Sequence, residues 1–136
     1  MAPTTATPVT TPTTTAAVAN ELVALCRAGR NEEVLEKFYS PDIVSIESVG
    51  NESMPKVMRG IDAIRGKNQW WVENMEVHSA NTVGPFLGDD QFAVKFDFDT
   101  TFKPTGQRQQ MTEMALYTVK NGKIVQEEFF YHQPGV

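Results

Sequence analysis

The stretch QFAVKFDFDTTF, Gln91–Phe102, alternates apolar and polar residues more cleanly than any other part of the chain. On an extended strand successive side chains point to opposite faces. Phe92, Val94, Phe96 and Phe98 therefore share one face, while Ala93, Lys95, Asp97 and Asp99 share the other. One face can cover a core and the other can meet water, the pattern of a half-buried strand. The C-terminal third continues as further strands. KPTGQ (103–107) turns, RQQMTEMALYTV (108–119) returns, and KNGK (120–123) carries Asn121-Gly122, a strong hairpin signal. IVQEEFFYHQ (124–133) closes the sheet and Pro134 stops it. On the N-terminal side, MEVHSANTV (75–83) is one more strand, broken by GPFLGDD (84–90).

The first half reads differently. In AAVANELVALCRAGR (16–30), Val18, Leu22, Leu25 and Cys26 fall at helical spacing and Gly29 supplies a stop. NEEVLEKFYS (31–40) restarts a helix with Asn31 as the expected N-cap, Glu32 and Glu33 in the first turn, and an apolar stripe of Val34, Leu35 and Phe38. Pro41 ends it, because a proline pushes the preceding residue out of the helical region. A short strand comes next over Ile43–Ser48, with Ile43, Ser45 and Glu47 on one face. VGNESMPKVMRG (49–60) is a turn-rich connection. IDAIRGKNQWWVENM (61–75) returns to helical spacing with Ile61, Ile64, Asn68, Trp71 and Met75 on one side, although Gly66 costs that helix about 1 kcal/mol relative to alanine. Helices first and a long antiparallel meander last make an α+β pattern. The expected architecture is a cone-shaped α+β barrel, with N-terminal helices packed on a strongly curved, mostly antiparallel sheet that wraps the third helix around a cavity.

The bulk composition bounds the function. A length of 136 residues suits one domain, and 40% hydrophobic residues suffice for a core. A net charge of −5 with scattered basic residues argues against a nucleic-acid partner. No apolar run approaches membrane-spanning length. The single cysteine, Cys26, leaves no intramolecular disulfide, suits a reducing cytoplasm, and reads as helix packing rather than a reactive thiol. Without CxxC or clustered His and Cys, neither a metal nor another cofactor is expected. The opening MAPTTATPVTTPTTT is low in complexity and lacks the charged and apolar regions of a signal peptide. Residues 1–15 are therefore expected to be a disordered tail, and 16–136 the domain.

GRNEEVLEKFYSPDIVSIES (29–48), MRGIDAIRGK (58–67) and VKNGKIVQEEFFY (119–131), in this order, resemble the SnoaL-like branch of the nuclear-transport-factor-two-like superfamily. The resemblance covers about residues 17 to 132. It implies the fold more than the function, because that fold hosts isomerases, cyclases, dehydratases, hydrolases and binding domains. Ketosteroid isomerases share it, with a general-base Asp at the end of the first strand. The resemblance puts Glu47 at that position and Gly60 before the third helix. It puts Leu22 and Met114 where those enzymes carry oxyanion donors, and neither can donate a hydrogen bond, so steroid isomerisation is not implied.

The candidate catalytic residues are Glu47 and His78. Glu47 is a carboxylate at the cavity mouth; its plainer reading is a solvated strand end paired with Arg59 or Lys56. His78 could serve as acid, base or hydrogen-bond anchor if its face of the strand is the inner one. Asn68 and Trp71 on the third helix, with Phe96, Met114, Glu127 and Tyr131 on the sheet, are the candidate ligand-pocket residues. Core packing is the plainer reading for Trp71, and a solvated outer face the plainer one for Glu113, Glu127 and Glu128. The expected function is a cofactor-free acid–base enzyme acting on an apolar carbonyl-containing or epoxide ligand. The alternative is a non-catalytic ligand-binding or dimerisation domain with a filled cone. A homodimer through the outer sheet face is expected, since Ala93, Met111 and Ala115 read as residues that would otherwise stay wet there.

Overall fold

The computed structural model describes residues 14–132. The tail expected over 1–15 thus lies largely outside the described residues. Its last two positions do not: the Thr14 hydroxyl accepts from the Ala17 N–H at 3.1 Å and caps a helix that starts at Thr15. The described elements are α1 (Thr15–Arg27), α2 (Asn31–Phe38), β1 (Tyr39–Ile46), β2 (Val57–Arg59), α3 (Ile61–Asn74), β3 (Met75–Leu87), β4 (Gln91–Phe102), β5 (Gln107–Lys120) and β6 (Lys123–Phe130). The strands form one sheet in the order β2-β1-β6-β5-β4-β3, antiparallel throughout except for the parallel β1–β6 pair.

The α+β class and the mostly antiparallel sheet are as read from the sequence. The expected barrel is not closed, because β2 and β3 are unpaired edges at opposite ends of the sheet. Part of the β3 edge is covered instead: the Arg27 guanidinium at the end of α1 donates to the Thr82 carbonyl at 3.1 Å, which blunts an edge that would otherwise invite pairing. Local boundaries also shift. Asn31 is the first residue of α2 rather than its cap, and β1 begins eight residues before Glu47 and runs through the exposed Pro41, where its pairing with β6 is irregular. The connection after β1 contains β2, and β3 continues past Gly84-Pro85 by a register shift.

The core forms where α1 and α2 press their apolar stripes onto the inner sheet face. Val18, Leu22, Val34 and Phe38 meet Ile43, Phe92, Val94, Ala115 and Ile124, all at most 4% exposed. Each fully buried large side chain of this kind contributes about 1.5–3 kcal/mol. Ala115 is therefore a core residue, and Met111 faces Phe98 on the inner side, so neither supplies the wet outer surface expected of it.

Two turns position the site. Asn121 and Gly122 both have positive φ, 53° and 75°, as a two-residue hairpin twisting with its strands requires. Gly60 takes φ 91° before α3, and its N–H donates to the Ile43 carbonyl at 2.8 Å. That bond pins the start of α3 to β1, and the helix then crosses the inner face beside Ser45 and Glu47.

Candidate functional site around Lys67

The inner face of β1 presents Ile43, Ser45 and then Glu47 just beyond the strand. β6 runs parallel beside it with Glu127 opposite Ser45. On α3, Ile64 is buried, Lys67 lies one turn later, and Trp71 one turn beyond that. Lys67 is the residue that sequence reading missed. Its aliphatic stem carries the ammonium over the Phe129 ring, 4.8 Å from the centroid, and into a carboxylate cluster.

The Lys67 ammonium is ion-paired with Glu47 Oε2 and donates to Ser45 Oγ at 2.6 Å. Glu127 Oε2 is 3.8 Å from it. The Ser45 hydroxyl in turn donates to Glu127 Oε2 at 2.7 Å, and the Tyr39 hydroxyl donates to Glu127 Oε1. The other Glu47 oxygen accepts from the Tyr131 hydroxyl at 2.9 Å. Glu47 thus has a cation on one oxygen and a phenol on the other, with 22% of its side chain still open. Its partner is Lys67, from the facing helix, rather than Arg59 or Lys56 from the loop after β1.

Burial sets the protonation pattern. Glu113 stands opposite Phe96 on β5 and is half-buried on the inner face. Loss of water, reinforced by the nearby charge of Glu47 and opposed by Lys67, pushes its carboxyl up to about 7. Burial also raises Glu127, 2% exposed, against the pull of Lys67, Tyr39 and Ser45. The Tyr39 and Tyr117 phenols are driven well above their ordinary value by burial first and Glu127 second. Tyr131 is raised by burial and by Glu47. Among the described residues no three His, Cys, Asp or Glu side chains stand together as a metal-ligand set; Lys67 fills the place a cation would take between Glu47 and Glu127.

The remaining candidate residues are dispersed. Phe96 is 5% exposed and stacks on Phe98, 5.9 Å between centroids, and Phe98 in turn meets Trp71 at 5.7 Å. These rings form an apolar wall next to the polar cluster. Met114 pairs with Lys95 and Phe130 on the outer face and is 37% exposed, so it lines no part of the cluster; its neighbour Glu113 faces in instead. Asn68 faces a groove of about 220 Å³ between α2 and α3, shared with Glu36 and Arg65. His78 is the extra residue of a bulge in β3, hydrogen-bonded to Thr101 Oγ1 at 2.7 Å and 3.9 Å from Glu76. It has no contact with the Glu47 cluster. A second groove, of about 310 Å³, lies over Asn81, Asp97 and Thr112 on the sheet. Cys26 packs against the core, and burial raises its thiol to about 11. Among the described residues no helix is long and apolar enough to cross a membrane.

The same fold is found in known proteins. A crystal structure from Mesorhizobium loti, provisionally described as a SnoaL-like polyketide cyclase and carbohydrate phosphatase, is 45% identical, covers 85% of this chain and 97% of its own, and superposes with a TM-score of 0.81. An NTF2-like protein from Burkholderia thailandensis is 18% identical over 88% of this chain and 91% of its own, with a TM-score of 0.74. A provisionally described isomerase from Bacillus subtilis is 15% identical over 85% and 84%, with a TM-score of 0.68. The last two show likeness of fold alone. No curated protein sequence matches the chain. The SnoaL-like domain model matches residues 13–131. With that match across nearly the whole chain, and the α+β sheet beneath it, the chain belongs to the SnoaL-like domain family.

Proposed function

We propose that this protein is a cofactor-free acid–base catalyst acting on an apolar, carbonyl-containing small molecule, with Glu47 as general base and Glu113 as its acid partner. The observation that carries the reading is the pair of environments on one inner face. Glu47 is held by the Lys67 ammonium and the Tyr131 hydroxyl, which suit a carboxylate. Glu113 is raised to about 7 and holds its proton over part of the physiological range. Carboxyl groups in environments that differ in this way are the ordinary basis for assigning a base and an acid. The apolar wall of Trp71, Phe98 and Phe96 suits a flat ligand. The Mesorhizobium protein's description as a polyketide cyclase fits the same chemistry, since ring closure of a polyketide begins by taking a proton beside a carbonyl.

The test is a screen of enolisable ketones, enones, lactones and epoxides against the wild type and Glu47→Gln. Loss of a general base is expected to lower turnover about a hundred- to ten-thousandfold. Turnover that survives Glu47→Gln overturns the assignment. One observation favours the alternative, a binding domain with a filled cone: Lys67 reaches across the inner face, and Glu47 lines neither the α2–α3 groove nor the groove over Asn81. A ligand that binds and is recovered unchanged is the outcome that alternative expects.

A further inference from the structure

A lysine ammonium carries three N–H donors and no acceptor. Two of those of Lys67 are used, on Glu47 Oε2 and on Ser45 Oγ. The third has no hydrogen-bond acceptor among the described residues. Glu127 Oε2 at 3.8 Å is beyond hydrogen-bonding reach, and the ring face of Phe129, 4.8 Å away at its centroid, offers no lone pair. A lysine side chain only 14% exposed, with an unspent donor beside a candidate base, is a place built to receive an acceptor atom of a ligand.

We propose that Lys67 is the oxyanion donor of this site: its third N–H receives the carbonyl oxygen of a neutral ketone or ester and holds the enolate oxygen once Glu47 has taken the adjacent proton. This rests on the reading of Glu47 as base. The proton balance is closed within the site. The C–H bond of the ligand breaks, its proton goes to Glu47 Oε2 or Oε1, and the electron pair moves into the C–C bond next to the carbonyl, whose oxygen becomes negative. Glu47 becomes neutral as the oxygen gains charge. Lys67, bonded to both, therefore keeps one anionic partner throughout, and the negative charge moves by only the width of the ammonium. A fixed dipole or charge aimed where charge develops needs little rearrangement as the reaction proceeds.

The surroundings also choose the ligand's charge. One ammonium stands beside two carboxyl groups, Glu47 and Glu127, with the charge of Glu113 also felt there, and burial drives Glu113 and Glu127 toward the neutral form. A ligand carboxylate or phosphate placed there would add a like charge in a half-dry site. A neutral carbonyl adds none. Trp71 lies one turn along α3 from Lys67, with its ring 5.7 Å from that of Phe98, and supplies an apolar seat for the carbon skeleton.

The experiment has two arms. In the first, exchange of the α-protons of 1-tetralone in D₂O is followed by NMR with wild type, Lys67→Met, Lys67→Gln, Lys67→Arg and Glu47→Gln. In the second, binding of 1-naphthol to the same proteins is measured by calorimetry. Its hydroxyl brings the proton that Glu47 would have removed, so it mimics the enolate state. Lys67→Met and Lys67→Gln are expected to lower kcat for exchange about a hundredfold while KM changes only about threefold. Lys67→Arg should recover most of the loss. 1-Naphthol affinity should fall about tenfold in Lys67→Gln. Lys67→Gln retains a polar donor for Glu47, which keeps the test open should Lys67→Met fail to fold. Exchange and naphthol binding unchanged in a folded Lys67→Gln, while Glu47→Gln abolishes exchange, overturn the role of Lys67 and leave the base standing. No exchange by the wild type, or exchange that survives Glu47→Gln, overturns the base and the oxyanion role together.

Discussion

Ser45 and Glu127 lie opposite each other in the parallel β1–β6 pairing, and the Ser45 hydroxyl donates to Glu127 Oε2 at 2.7 Å. The same hydroxyl oxygen accepts from Lys67 at 2.6 Å. A serine in that position relays between a buried carboxyl group and the ammonium on α3. The catalytic candidate Glu47 is therefore backed, through Lys67, by Ser45 and Glu127, both too deep to meet a ligand first, with the half-buried Tyr39 behind them.

Glu127 should be a stability residue before it is anything else. Glu127→Ala leaves the Tyr39 and Ser45 hydroxyls without their acceptor and removes a carboxyl group from beside Lys67. Breaking a buried charged network from one side costs about 3–5 kcal/mol. Urea denaturation of Glu127→Ala should show a loss of that order. Glu127→Gln keeps an acceptor for one hydroxyl and should lose clearly less; equal losses would mean that packing, not the network, sets the cost.

Glu113 gives a pH dependence whose sign comes from its environment. Its carboxyl rises from the ordinary 4.5 to about 7 in the folded chain. A raised carboxyl favours the protonated folded form. Its contribution is therefore intact below pH 4.5, declines as pH rises through about 7, and is level above that. The full loss is about 3 kcal/mol at most, less in practice because the side chain is partly open to water. Glu127 acts in the same sense. Asp97 and Asp99, held low by Thr112 and Arg108, act oppositely, through stability lost on acidification below their ordinary range. Melting curves from pH 4.5 to 8 should flatten measurably in Glu113→Gln. A wild-type curve that rises across this interval would contradict the assignment.

How far the site was legible depends on which periodicity carried each residue. Glu47 was placed by the two-residue repeat of β1, which holds to the end of the strand. Glu113 was within reach. The four residues Lys103–Gly106 connect β4 to β5 so that Phe102 opposes Gln107, and counting back along both strands sets Glu113 against the inward Phe96. Strict alternation back from Glu127 would have placed Val125 inside. A register shift near Val119 leaves Val125 unpaired and turns Ile124 into the core, and nothing in the local sequence announces it. Lys67 was hidden for a different reason. Lysine on a helix is ordinarily read as solvated, and Asn68 beside it fitted the same stripe. The facing carboxylates decide which of the two turns inward, and they come from strands distant in the chain.

The sharp turn before α3 makes Gly60 a backbone requirement. Its φ of 91° is one that side chains resist, although a Cβ there would meet no atom within 4 Å. Gly60→Ala should therefore cost about 1–3 kcal/mol through backbone strain alone, without a clash. Because the Gly60 N–H fixes α3 to Ile43, relaxation of that strain should shift Lys67 relative to Glu47 and lower activity further than stability. Equal activity and stability in Gly60→Ala would show that the helix start is not what positions Lys67.

The outer sheet face presents different apolar residues from those the sequence suggested. Met114 and Phe130 are cross-strand partners on that face, 37% and 48% exposed, with Lys95 beside them. Two copies related by a twofold axis could bury this apolar pair against itself while Lys95 and Asp97, 3.5 Å apart in one copy, meet their counterparts. We expect a homodimer at micromolar concentration by light scattering. Phe130→Asp places like charges on both sides of such an interface and should shift the protein to monomer, while the melting of the monomer stays near that of the wild type because Phe130 is no part of the core. A wild-type monomer at those concentrations, or a dimer indifferent to Phe130→Asp, removes this face as the interface and leaves the exposed pair as ordinary surface.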